Sequence, residues 1–153
     1  METVTSLLAQ LIAVAVVITL HEFAHAYAAY KMGDSTAKNL GRLTINPLKH
    51  LDIIGTICMV LFRFGWAKPV PINARNFKNP KRGMAFTAIA GPISNLLLGL
   101  VTTILCAVVG FIHGYFYAEI INNQTLNNVI TIIRLLFEYF GYMNFVLAIF
   151  NLI

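Results

Sequence analysis

The sequence predicts an all-α polytopic membrane protein of about three transmembrane helices, with a small membrane-associated β or re-entrant region between the first and second. Two observations carry this. Hydrophobic residues make up 58% of the 153 residues and charged residues only 11%, against roughly 45–50% and about 25% in a soluble domain. The apolar residues are also gathered into three long runs, each reaching the roughly 20 residues that a helix needs to cross a bilayer. Such a composition excludes a disordered chain, a coiled coil and an ordinary cytosolic enzyme. The length suits one domain, residues 1–153.

The first run, residues 7–30, is interrupted only by Gln10, Thr19 and the cluster His21, Glu22, His25. No Lys or Arg precedes it, it exceeds the roughly 7–15 apolar residues of a signal peptide, and no clean cleavage site follows, so it reads as a span. The second run, 84–112, carries no formal charge and is longer than a ~30 Å hydrocarbon core requires. Gly91-Pro92 inside it marks either a kink or the true helix start. The third run, 129–153, is broken by Arg134, Glu138 and two asparagines. Arg134 and Glu138 lie one helical turn apart and are expected to pair.

Between the first two spans, the region 40–73 reads as structured and membrane-dipping. Arg42-Leu43-Thr44-Ile45 alternates polar and apolar, as a half-buried strand does. The apolar stretch from Ile53 to Phe62 is too short to span as a helix and suits a re-entrant or interfacial segment. The prolines of Pro69-Val70-Pro71-Ile72-Asn73 confine that stretch to an edge strand or an extended strip.

Charge sets the orientation. Ten of the eleven basic residues lie between Lys31 and Arg82, which makes the segment 31–82 cytoplasmic by the positive-inside rule and places it beside anionic lipid. The loop 113–128 holds Glu119 and no Lys or Arg, so it is expected outside. The net charge of +5 comes with no zinc finger, basic zipper or RNA-binding strand, and a nucleic-acid partner is not expected. Cys58 and Cys106 sit in apolar runs and imply no disulfide framework.

The chemistry-bearing motif is His21-Glu22-Phe23-Ala24-His25, which fits His-Glu-x-x-His. Residues four apart share a helix face, so both imidazoles can reach one Zn²⁺ at about 2.0–2.1 Å. The glutamate projects beside the metal and is placed to move a proton during hydrolysis. Two histidines and a glutamate in an apolar helix are costly unless they pair with a metal or with one another. A polar cluster that packs three helices without metal is the bland alternative.

From the motif outward the chain resembles the site-2 proteases, the intramembrane zinc metalloproteases. His21-Glu22-Phe23-Ala24-His25-Ala26-Tyr27 is similar to their active-site helix. The stretch Gly41-Arg42-Leu43-Thr44-Ile45-Asn46-Pro47-Leu48-Lys49-His50-Leu51-Asp52 is similar to their membrane-associated strand region. Phe64-Gly65-Trp66-Ala67-Lys68-Pro69-Val70-Pro71-Ile72-Asn73 with Arg75-Asn76-Phe77 is similar to the next block, and Ala90-Gly91-Pro92-Ile93-Ser94-Asn95-Leu96 to their Gly-Pro-x-x-Asn segment. The resemblance runs along nearly the whole chain and is nearest to the compact bacterial branch without a PDZ domain.

It implies a metalloendopeptidase of the cell membrane that hydrolyses peptide bonds in or near transmembrane segments of other membrane proteins. His21 and His25 are then the zinc ligands and Glu22 the catalytic base. Asn95 either binds substrate or an oxyanion, or makes a helix-to-helix hydrogen bond. The third ligand of the family is an aspartate in a Leu-Asp-Gly stretch. Asn151-Leu152-Ile153 is similar to its lead-in, and the aspartate is expected beyond Ile153. Asp52 and His50 could fold back as in-chain substitutes, whereas Asp34, at the end of the first helix, needs no metal and His113 belongs to the far side. Two other readings stand beside the protease: a non-catalytic membrane scaffold or binder, and a small metal transporter. The oligomeric state is left open.

Overall fold

A computed structural model describes residues 4–62 and 65–152, with the side chains of 59 and 60 outside that description. Phe64 and Ile153, which figure in the resemblance, lie outside the described residues. Helix α1, Val4–Lys31, carries the zinc motif. A one-turn helix α2, Thr36–Asn39, follows, then a 3₁₀ turn at Pro47–Lys49 and the ten-residue helix α3, Ile53–Phe62. A second 3₁₀ turn, Ala74–Asn76, leads into the long helix α4, Pro80–Tyr115. The short α5, Tyr117–Ile120, turns the chain into α6, Gln124–Phe150.

Helices α1, α4 and α6 are long and apolar enough to cross a membrane. At 1.5 Å per residue, 28, 36 and 27 residues extend about 42, 54 and 40 Å, all beyond a ~30 Å hydrocarbon core. Their outward faces are covered with large apolar side chains such as Leu97, Leu100, Ile104, Phe111 and Phe150. In water that surface would aggregate; in lipid it is the natural exterior. This is the architecture of an all-helical polytopic membrane protein.

Asparagines start four of these elements. Asn46, Asn73, Asn79 and Asn123 each sit in extended conformation and accept a backbone N–H from the first turn of the element that follows. Asn79, with Pro80 in the first turn, fixes the start of α4, because proline lacks the N–H that would be orphaned there. Gly91-Pro92 therefore lies inside α4 and is not its beginning.

The three long helices meet through small residues. On α4 the buried positions Gly83, Thr87, Gly91, Asn95 and Gly99 recur every four residues and form one stripe. On α1, Ala9, Ala13 and Val17 do the same. α6 contributes Gly141, Asn144 and Ala148. With lipid outside, hydrophobicity cannot press helices together, so close backbone approach and interhelical contacts do the work. α4 packs against both α1 and α6, and α1 touches α6.

Among the described residues there is no β-strand. The one strand-like feature is an isolated antiparallel bridge between Leu51 and Ala67. The segment 42–45, expected as a half-buried strand, is irregular, and 69–73, expected as an edge strand or an extended strip, forms no strand. The physical reason is visible in the 65–73 strip. Pro69 and Pro71 have no N–H to give a ladder, and the donors that remain go elsewhere. Lys68 N–H donates to the His50 carbonyl at 2.9 Å, Val70 N–H to Glu22 Oε2 at 2.8 Å, and Asn73 N–H to Asp34 Oδ2 at 2.7 Å. The strip is thus stitched by the Glu22 carboxylate of α1, by Asp34 just beyond α1 and by the His50 carbonyl, and not by a strand ladder. The short apolar stretch 53–62 is helical, with Ile53, Ile54, Ile57, Leu61 and Phe62 exposed.

Arg134 and Glu138 do not form the expected ion pair. The Arg134 guanidinium lies instead against Gly110 of α4, where a Cβ would sit 3.6–3.7 Å from it.

Candidate metal centre

The end of α1 and the 65–77 segment are clamped by one carboxylate. Gly33, at φ +111°, lets the chain turn sharply out of α1. Asp34 is fully buried just beyond. It accepts from Thr36 N–H at 3.0 Å, from the Thr36 hydroxyl, from Asn73 N–H at 2.7 Å and from Asn76 Nδ2 at 2.8 Å. Burial pushes its carboxyl up, but the hydrogen bonds from Thr36, Asn73 and Asn76 outweigh this and hold it below the ordinary value.

The stabilisation Asp34 lends is therefore full above the unfolded-state pKa of about 3.9 and is lost as pH falls through the lower folded value. We expect Asp34→Ala to cost roughly 3 kcal/mol, since several buried donors lose their acceptor together. Thermal unfolding in detergent at neutral pH measures it, and a shift within experimental error would show that the clamp is dispensable.

With the strip fixed, the zinc motif takes shape. His21 is buried, and Glu22 and His25 are half-buried. His21 Nε2 and His25 Nε2 converge to 2.9 Å. His25 Nδ1 lies 2.6 Å from the Thr87 carbonyl oxygen, which only accepts, so Nδ1 carries the proton there. In the neutral ring the Nε2 lone pair is then free and aimed at His21. His21 Nδ1 lies 3.0 Å from the side-chain amide of Asn95. Gly91, between Thr87 and Asn95 on α4, faces the pair: a Cβ there would strike His25 Nε2 and would come within 2.6 Å of His21 Cε1.

Glu22 accepts from Val70 N–H, which ties one carboxylate oxygen to the strip. Two cavities open on either side of it. One, of about 300 Å³, is lined by His21, Glu22, His25, Pro69, Val70 and Ile72 from α1 and the strip, with Thr87 from α4 and Asn151 closing it. The other, of about 190 Å³, shares His21, Glu22 and Asn151 and is walled by Trp66 and Leu147.

Two imidazoles with converging Nε2 atoms suit zinc, which binds His nitrogen at ~2.0–2.1 Å and spaces tetrahedral ligands about 3.3 Å apart. A shift of a few tenths of an ångström in the 2.9 Å separation accommodates the ion. Among the described residues no group of three or more His, Cys, Asp and Glu comes together to complete a cage.

The remaining aspartates and histidines are engaged elsewhere. Asp34 holds its clamp, and Asp52 Oδ1 accepts Gly55 N–H at 2.8 Å as the cap of α3. The fully buried His50 donates its Nε2–H to the Thr44 carbonyl, 2.7 Å away, which only accepts and so fixes the proton on Nε2. His113 pairs with Asn127 Oδ1 at 2.9 Å, joining the far ends of α4 and α6. Asn95 is fully buried and lines neither cavity. Thr87, Gly91 and Val70 belong to the site although sequence reasoning gave them no role there. The first two share the four-residue spacing of Asn95 on α4, a signal that the chain does contain.

These features define a three-span helical protein with a His-Glu-x-x-His helix at its centre and a cavity beside it. The chain is 44% identical over 135 residues to "Putative zinc metalloprotease YwhC" of Bacillus subtilis (strain 168), covering 88% of this chain and 58% of that protein. It is 30% identical over 87 residues to "Putative zinc metalloprotease Rip2" of Mycolicibacterium smegmatis (strain ATCC 700084 / mc(2)155), covering 54% of this chain and 34% of that protein. The chain therefore spans less than two thirds of the length of either relative. No family model matches the sequence, and no solved structure matches it. Both relatives are named as putative zinc metalloproteases, and the three apolar helices are those of a multi-pass membrane protein.

Proposed function

We propose that the chain is the catalytic part of a site-2-type intramembrane endopeptidase that cleaves other membrane proteins in or near their transmembrane segments. The observation that carries this reading is the convergence of His21 Nε2 and His25 Nε2 at 2.9 Å, beside Glu22 and at the wall of a cavity. His21 and His25 hold the zinc, and a third ligand comes from outside the described residues, as catalytic sites use three. Bound there, zinc supplies Lewis acidity toward the scissile carbonyl and toward water.

The chain's own residues do the rest. Glu22 takes the proton from the attacking water and passes it to the departing amine. Val70 N–H holds one oxygen of Glu22 and leaves the other for that transfer. A transmembrane helix hides its amides in internal hydrogen bonds and must unwind before cleavage. The extended strip 69–73 lines the larger cavity, whereas 42–46 does not, so the strip is the edge along which an unwound segment is laid. The segment 31–82 faces the cytoplasm by its basic residues, and the exposed apolar face of α3 rests in the lipid of that side.

The two-histidine count among the described residues favours one second reading, a non-catalytic relative that keeps the fold as a scaffold. Elemental analysis of the purified protein tests the metal. We expect near one zinc per chain in the wild type and almost none in a His21→Ala, His25→Ala double variant. Absence of zinc from both overturns the protease reading.

A further inference from the structure

Asn95 reaches between helices, as Asn127 of α6 does to His113 of α4. Asn122, Asn144 and Asn151 each turn the side-chain amide back on their own helix and donate to the carbonyl four residues earlier. Asn95 instead reaches across to α1 and meets His21 Nδ1, a residue 74 positions away. It has 0% exposure, and neither cavity reaches it, so a substrate has no route to its amide. The polar group that holds His25 comes from the same face of α4, two turns earlier, as the Thr87 carbonyl.

The amide has two orientations of nearly the same shape and opposite chemistry. With Nδ2 toward His21, as the contact stands, Oδ1 is buried without a hydrogen-bond partner. An N–H facing Nδ1 also makes Nδ1 the acceptor and drives the ring proton onto Nε2. There it points at His25 Nε2, 2.9 Å away, in the place a metal ion would take. The half-turned orientation clears the metal's place and leaves Nδ2, instead of Oδ1, without a partner. Oδ1 then accepts Nδ1–H, and the Nε2 lone pair is bare.

We propose that Asn95 is the positioning residue of the first histidine: its side-chain oxygen accepts the His21 Nδ1–H and so aims the Nε2 lone pair at the point where the His25 Nε2 lone pair also converges. α4 then acts as a rack for the metal-binding helix. The Thr87 carbonyl orients one imidazole, Asn95 orients the other, and Gly91 between them leaves the space in which the rings meet. Acceptors behind metal-binding histidines fix tautomer and ring angle, and losing one typically lowers metal affinity 10–100-fold.

The inference rests on the zinc reading above, and the experiment separates the two. Zinc affinity is measured by competition with a chromophoric chelator, on detergent-solubilised wild type, Asn95→Leu and Asn95→Asp, with helical content followed by circular dichroism. Asn95→Leu keeps the size and removes the acceptor; Asn95→Asp keeps the acceptor. We expect zinc affinity to fall 10–100-fold in Asn95→Leu at unchanged helical content, and to return to within a few-fold of wild type in Asn95→Asp. Should Asn95→Leu lose its helical signal, Asn95→Ala, which vacates space, takes its place in the same comparison. Wild-type affinity in Asn95→Leu, or equal losses in Asn95→Leu and Asn95→Asp, overturns the positioning role and leaves Asn95 a helix-packing residue. A wild type that binds no zinc overturns the zinc reading itself.

Discussion

Glu22→Gln is expected to lower peptide-bond cleavage by at least roughly 10²–10⁴-fold, the usual worth of a positioned acid–base group, while zinc stays bound. The substitution keeps the side chain's length and the oxygen that Val70 N–H needs, so the strip stays where it is. What it removes is the capacity to take a proton. The histidines retain their own anchors on α4, which do not pass through Glu22. Structure and metal are therefore decoupled from chemistry in this one variant. Cleavage of a reporter transmembrane segment, read beside zinc content, makes the test. Undiminished cleavage with full zinc would remove Glu22 from the mechanism. Loss of zinc together with activity would show that Glu22 is a ligand and not a base.

The spans could be read from sequence because lipid imposes a coarse demand, about 20 apolar residues, that a linear count detects. The ends were less exact: α4 starts at Pro80 and α6 at Gln124, each a few residues before the apolar run, because capping asparagines and not hydropathy decide where a helix begins. No strand forms at 42–45, and at 69–73 a strip forms in place of the edge strand, for a reason that neither alternation nor the prolines encode alone. A strand needs a partner ladder, and here Glu22 and Asp34 take the donors a partner would have used. The Arg134–Glu138 pair failed similarly, since spacing within one helix says nothing about Gly110 on the next. Of the site, His21, Glu22 and His25 were legible as a motif, because helical periodicity alone brings the two imidazoles together. Their supports on α4 were not, because glycine and threonine pass as background in an apolar run. They are recognisable only as the four-residue stripe that includes Asn95.

That stripe yields the other large expected effect. Gly91→Ala should abolish tight zinc binding, and cleavage with it, although alanine is a better helix former by about 1 kcal/mol. The methyl group would strike His25 Nε2 and come within 2.6 Å of His21 Cε1, both at the metal-facing edge of the rings. Neither ring can yield freely. His25 is held at the Thr87 carbonyl and His21 at Asn95, and moving either gives up a buried hydrogen bond. The alternative is to push α4 away from α1, which opens the contact between the two helices at the histidines. Overpacking of this kind costs typically 1–3 kcal/mol in stability, and a misplaced ligand pair costs more in metal affinity, for which about 100-fold is the expected scale. Gly114→Ala is the control on the same helix. Nothing lies within 4 Å of a Cβ at that position, so it should leave zinc binding unchanged and stability neutral or slightly raised. Zinc affinity and thermal unfolding of the two variants, side by side, separate the effect of adding a methyl to α4 from the effect of adding it between the histidines. Full zinc affinity in Gly91→Ala would mean that α1 and α4 stand farther apart at the metal centre than the contact between Gly91 and the imidazoles implies.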